Sequence, residues 1–238
     1  MEMQLITKPR VEPISEETPT EKFIAWSLER FGDQNMVMST SFGMEGCALI
    51  DMYAAHGKPL TVTYLDTMFF FPETYALRDQ MIDRYPHLTF VNRGTSFTPE
   101  QQAGEYGDEL WKRDPDQCCK IRKVDPMFDA MADVDVWITG LMRSQSRTRA
   151  NIQLIEWDYK YQVLKLNPLC TWERGRIWEY IRANQVPYNP LHEQGYPTVG
   201  CTHCTKPVVG SRLGEYSRDG RWAETGKTEC GLHGGAGI

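Results

Sequence analysis

Met36-Val37-Met38-Ser39-Thr40-Ser41-Phe42-Gly43-Met44-Glu45-Gly46 is the stretch whose reading sets the fold. MVMST (36–40) is a short apolar run of strand length. The turn SFGMEG follows, and a helical stretch near 46–55 stops at His56-Gly57. The same alternation continues downstream. LTVTYLD (60–66) reads as a second strand, and Pro72 opens a helix through PETYALRDQMIDRY. LTFVN (88–92) is a third strand, and VDVWITG (134–140) a fourth, after the helical stretch CKIRKVDPMFDAMAD. QVLKLNPL (162–169) is a further strand, followed by the helix TWERGRIWEYIRANQ with Ile177, Trp178 and Ile181 on one face. Strands and helices alternating at this spacing predict an α/β fold, a doubly wound parallel sheet covered on both faces. Ligands of such sheets bind beyond the carboxyl ends of the strands, which singles out the loops after Ser39, Leu65 and Thr139.

Upstream, residues 1–35 read as an N-terminal helical segment. Thr18 offers an N-cap, Pro19 an N1 proline and Glu21 an N3 carboxylate. Phe23, Ile24, Leu28 and Phe31 form the apolar stripe, and Gly32 supplies the stop. The nucleotide-binding core is expected over 36–186. Beyond Val186 the chain is rich in Pro, Gly and Cys without periodicity, so 187–238 is read as an irregular segment wrapped over the sheet edge within one structural domain. It ends in a glycine-flanked, mobile tail, KTECGLHGGAGI.

Of the 238 residues, 41% are hydrophobic and 24% charged, as in a soluble globular chain. The net charge of −6 argues against nucleic acid as a partner. No apolar run approaches a membrane span, and MEMQLITKPRVEPISEE lacks an apolar signal core. Seven cysteines are an odd number for a disulfide framework. These features predict a cytoplasmic, reduced protein, and leave a homo-oligomer open.

Hydroxyls and a glycine between strand and helix, at Ser39, Ser41 and Gly43, suit an anion at a helix N-terminus. The plainer reading is a serine-rich helix cap, and no Lys follows the glycine as in a Walker loop. A second polar strand end, Leu65-Asp66-Thr67, favours a nucleotide site. Cys118-Cys119 and Cys201-Thr202-His203-Cys204 offer four thiolates, a set that suits zinc or an iron–sulfur cluster. A vicinal disulfide would be strained, and zero spacing is unusual for structural zinc. Lys120, Arg122 and Lys123 beside the pair could balance thiolate charge or hold an oxyanion. Arg143, Arg147 and Arg149 follow the fourth strand, and Arg218 and Arg221 lie in EYSRDGRW; Arg143 and Arg147 read as surface residues. Cys47 and Cys170 read as core, and His56, His87 and His192 as structural. Cys230, on a glycine-rich tail, can add little to a core and matters through its thiolate.

STSFGME, LDT, CCKIRK, ITG…QSRTR, GCTHC, SRDGRW and KTECGLH, in that order, resemble the adenylyl-sulfate reductases of sulfate assimilation, relatives of the 3′-phosphoadenylyl-sulfate reductases. The resemblance implies an adenine nucleotide α-hydrolase-like fold and a thioredoxin-dependent enzyme that converts adenylyl sulfate to sulfite and AMP. It makes Cys230 the nucleophile that carries an S-sulfonate. It assigns Cys118, Cys119, Cys201 and Cys204 to a 4Fe–4S cluster, and Lys123, Arg149, Arg218 and Arg221 to the substrate anion. The backbone at Leu65 and Gly140 would meet the adenosine. LDTMFFFPETY departs from relatives that carry a glycine and a polar residue after LDT. The rivals are reduction of the 3′-phosphorylated substrate, alone or beside adenylyl sulfate, and a nucleotide-binding iron–sulfur or zinc regulator, which would leave Cys230 without a role.

Overall fold

The computed structural model describes residues 14–211 and 218–233. The first thirteen residues and the final GGAGI of the tail lie outside the described residues. Six strands form one sheet: β1 (Met36–Thr40), β2 (Thr61–Tyr64), β3 (Thr89–Asn92), β4 (Val136–Ile138), β5 (Ile155–Asp158) and β6 (Val163–Leu166). Their order is β3-β2-β1-β4-β6-β5, parallel throughout except that β5 runs against β6. Met38 of β1 lies opposite Val62 on one side and Ile138 on the other. The strand order therefore reverses at β1, and the crevice between β1 and β4 is the switch point where such sheets take ligands.

The period-2 alternation of strand side chains distributes the core to both faces. Met36, Met38, Val136, Ile138, Leu164 and Leu166 point to one face, into a cluster with residues of α1 (Thr20–Phe31), α2 (Met44–Ala54), α3 (Pro72–Arg84) and the helix Arg174–Ala183. Val37, Trp137 and Val163 point to the other, where Met127 and Met131 meet them. That second face is covered by α7 (Asp125–Met131), which follows α4 (Pro99–Tyr106), α5 (Leu110–Arg113) and α6 (Pro115–Cys119); the first-face helix Arg174–Ala183 is α8. Between α6 and α7, Lys120–Val124 form a single π-helical stretch. Such widened turns are rare and are found frequently at functional sites.

Two local readings are corrected. Thr18 is not the N-cap of α1. Pro19 takes that position with ψ 136°, no side chain caps the helix, and the Thr18 amide donates to the Ser15 carbonyl at 3.0 Å. The strand β5 was not anticipated. Its Glu156 and Asp158 carboxylates pair with Lys165 of β6 at 3.6 and 3.1 Å, which makes it a charged edge of the sheet.

Ile138 is fully buried beside the switch point. Ile138→Ala is expected to cost about 2–5 kcal/mol of stability, read as a lowered midpoint in chemical denaturation.

Candidate active site at the carboxyl ends of the strands

The loops after β1, β2 and β4 open into a cleft of about 220 Å³, closed on its outer side by residues 197–200, 218–222 and 230–233. All three loops singled out from the sequence line it. Phe42 at φ 56° makes the sharp strand-to-helix turn, held by its amide donating to Thr40 Oγ1 at 2.9 Å. Ser39, Ser41, Gly43, Leu65 and Gly140 all reach the cleft. Ser39 Oγ already accepts the Trp137 indole N–H at 2.8 Å. A Cβ on Gly140 would come within 3.3 Å of the Glu45 backbone, so a glycine lets the β4 loop lie against the start of α2.

Beside the cleft, Cys118 and Cys119 of α6 and Cys201 and Cys204 share the walls of a smaller cavity with Phe69, Trp111, Arg122, Lys123 and His203. None of the four is in a disulfide. The aromatic run after LDT builds this place: Phe70 bridges to Cys201 in antiparallel fashion, and the Thr202 amide donates to the Phe69 carbonyl at 2.8 Å. Phe69 packs edge-on to Trp111 and His203, which stack on each other with ring centroids 3.9 Å apart. Among the described residues, no three His, Cys, Asp or Glu side chains converge on a single metal ion.

The three cations beside the vicinal pair part company. Lys120 is exposed and pairs with Asp125 at 2.6 Å. Arg122 is buried over the Phe69 ring, donating to Gln102 Oε1 at 2.8 Å and the Thr67 carbonyl at 3.0 Å, and its second terminal nitrogen has no partner. Lys123 lines both cavities. Burial opposes its charge, but the thiolates of Cys201, Cys230 and Cys119 outweigh that and hold it above its ordinary range. Burial and the neighbouring thiols push Cys118 up to about 12. Cys201 goes the other way: burial raises it, but Lys123, the Thr67 hydroxyl and Arg221 together bring it below its usual value.

The tail segment lies in the cleft. Cys230 lines it, half-buried. The Gly231 carbonyl accepts from Lys160 Nζ at 2.6 Å, and the Leu232 carbonyl from the Tyr161 hydroxyl at 3.1 Å. His233 stacks on Trp137 at 5.2 Å, and Lys165 Nζ lies 4.8 Å from the Trp137 ring. Arg149, Arg218 and Arg221 reach the same cleft from two separate segments. Arg221 donates to the Cys204 carbonyl at 3.2 Å and lies over the Trp222 ring. Arg143 faces elsewhere, donating to Glu16 and the Ile152 carbonyl, and Arg147 is exposed.

Residues 35–207 match the phosphoadenosine phosphosulfate reductase domain. The chain belongs to that family. Its relatives include proteins named adenosine 5′-phosphosulfate reductase from Lysinibacillus sphaericus, 44% identical over 88% of each chain, and from Geobacillus thermodenitrificans, 39% identical over 97% of this chain and 96% of that one. Among solved structures, the phosphoadenylyl-sulfate reductase of Candida auris superposes with a TM-score of 0.69 at 29% identity, over 81% of this chain and 91% of that one. Its phosphate complex is the state described for that protein. The FMN adenylyltransferase of Candida glabrata, 14% identical with a TM-score of 0.57 over 79% of this chain and 66% of that one, shares the fold alone. No described helix is long and apolar enough to cross a membrane.

Sequence reasoning left Trp137, Glu229 and His233 of this family member without roles. Trp137 reads as core within a buried strand. His233 carried a signal, because it closes the ECGLH run. Its Nδ1 is buried without a partner, and burial beside Lys165, Arg149, Lys160 and Arg218 holds the imidazole well below its ordinary 6.5. The docked tail therefore carries a neutral His233. Protons bind the undocked tail more readily, so docking is at full strength above about pH 6.5 and weakens as pH falls below it. Glu229, whose pKa is lowered by Arg149 and Arg218 against its burial, stays ionised through that window. Hydrogen exchange of residues 228–233, corrected for intrinsic rate, is expected to be faster at pH 5.5 than at pH 7.5 (both about one unit from that value). His233→Phe, which keeps the stacking, should remove the difference.

Proposed function

We propose that this chain reduces adenylyl sulfate to sulfite and AMP, with Cys230 as the nucleophile and a dithiol protein of the thioredoxin kind as reductant. The observation that carries this reading is the convergence of Cys230 with Lys123, Arg149, Arg218 and Arg221 on one cleft at the strand ends. The names of relatives 39–45% identical to the chain support the choice of adenylyl sulfate. The adenosine would sit against the backbone of Leu65 and Gly140, and the sulfate among the four cations.

Thiolate and anhydride are both anionic, so their approach is unfavourable until cations offset the charge. Lys123 and the three arginines supply that offset. The Cys230 sulfur attacks the substrate sulfur, the bond from that sulfur to the bridging oxygen breaks, and AMP departs with the electron pair. Cys230 is left as an S-sulfonate. A thiolate of the reductant then attacks the Cys230 sulfur and releases sulfite. The reductant's second thiol resolves the mixed disulfide, so the two electrons come from the dithiol and Cys230 is regenerated.

Cys118, Cys119, Cys201 and Cys204 would hold a 4Fe–4S cluster. The donor set fits: four unbridged cysteines around one cavity, with buried Arg122 and Lys123 against it. Four cysteine thiolates are the ligand set such a cluster takes. Bound there, the cluster would join α6 to the 201–204 turn and present its negative charge to Lys123.

Anaerobically purified protein is expected to be brown with about four irons per chain; one zinc and no iron would remove the cluster from this account. Sulfite release with reduced thioredoxin, measured with adenylyl sulfate and its 3′-phosphorylated form in competition, tests the substrate. Preference for the phosphorylated form would reverse the assignment. Cys230→Ser should abolish sulfite release while retaining iron.

Gly200 offers a finer test. A Cβ there would lie 2.5 Å from the Arg221 guanidinium, the free end of a flexible side chain. Gly200→Ala should fold normally, because the arginine can move aside, yet bind substrate more weakly. A loss of up to about 2–5 kcal/mol in binding is the scale of one displaced buried charge contact, and calorimetric titration into the Cys230→Ser background would measure it.

A further inference from the structure

Glu229 precedes the nucleophile directly, and its carboxylate sits where the substrate's charge is assigned. One oxygen lies 3.0 Å from Arg149 Nη2 and 3.3 Å from Arg218 Nη2. The other accepts from the hydroxyls of Ser146 and Thr148 at 3.2 Å each. Arg218 also donates to the Thr228 carbonyl at 2.8 Å, so the backbone before Glu229 is held by the same guanidinium. Arg149 keeps a buried Nε with no partner. Two guanidinium groups and two hydroxyls around a carboxylate form a site for a tetrahedral oxyanion, filled here by the chain's own side chain.

We propose that Glu229 occupies the substrate's anion subsite: in the resting chain its carboxylate stands in for the sulfate of the substrate at Arg149 and Arg218. The inference rests on the assignment of those arginines to the substrate anion. A tethered carboxylate competes at high effective concentration. Free sulfate or phosphate brings charge but no adenosine, and loses that competition. Adenylyl sulfate adds its nucleoside contacts at the β1–β4 crevice and wins it. The Glu229 carboxylate can leave the arginines by rotation about its own side-chain torsions, so the exchange needs no prior backbone movement.

The test is binding in the Cys230→Ser chain, where chemistry is blocked, with and without Glu229→Gln. Titrations use adenylyl sulfate, inorganic sulfate and adenosine. Removing the competing charge should tighten adenylyl sulfate and inorganic sulfate by about tenfold, while adenosine stays within about twofold, a tenfold change being 1.4 kcal/mol. A residue that merely supports the cleft would weaken binding when altered, so a gain separates the two roles. Unchanged or weakened binding of both anions overturns the proposal. Failure of the Cys230→Ser chain to bind adenylyl sulfate at all strikes the functional reading instead, and an unchanged sulfate titration in that case also sinks the role of Glu229.

Discussion

In the proposed reaction like charges must meet: a thiolate has to approach a sulfate-bearing anhydride beside four further cysteines, and fixed cations offset the repulsion. Lys123 is the pivot, because it lines the cysteine cavity on one side and the cleft on the other. Its position depends on the π-helical stretch Lys120–Val124, which sends Lys120 to solvent, Arg122 into the protein and Lys123 between the two cavities. The sheet serves the same end: the reversal of strand order at β1 opens the crevice, and the chain after β4 delivers Arg149 to its rim.

The C-terminal segment completes the site from outside. Hydrogen bonds from Lys160 and Tyr161 hold its backbone, and the stacking of His233 on Trp137 anchors its end against a buried strand. The burial of a neutral His233 and the carboxylate of Glu229 between two arginines make the seating of this segment sensitive to charge.

Much of this was legible in the sequence. Strand positions follow from apolar runs of fixed length, and the meeting of four cysteines around one cavity from a vicinal pair matched to a C-x-x-C. Arg149 lines the cleft while Arg143 and Arg147 do not, a division that only the family resemblance suggests, since periodicity alone treats them alike. What escaped depends on distance in the chain. Glu229 meets Arg149 across 80 residues, a pairing no local pattern encodes. Trp137 looks like any buried aromatic until a histidine stacks on it. The strand β5 was hidden because Ile-Glu-Trp-Asp is short and half charged. Phe69 and Phe70, which break the pattern after LDT, turn out to build the wall around the cysteines.

The central claim is that the tail cysteine performs the chemistry, and trapping its intermediate tests that most directly. The chain is mixed anaerobically with adenylyl sulfate and no reductant, then digested and mapped by mass spectrometry. The account expects one equivalent of AMP and a gain of roughly 80 Da, one sulfonate, on the peptide containing Cys230, as covalent catalysis requires. The same gain on Cys47 or Cys170, or AMP release with no modified cysteine, would contradict it.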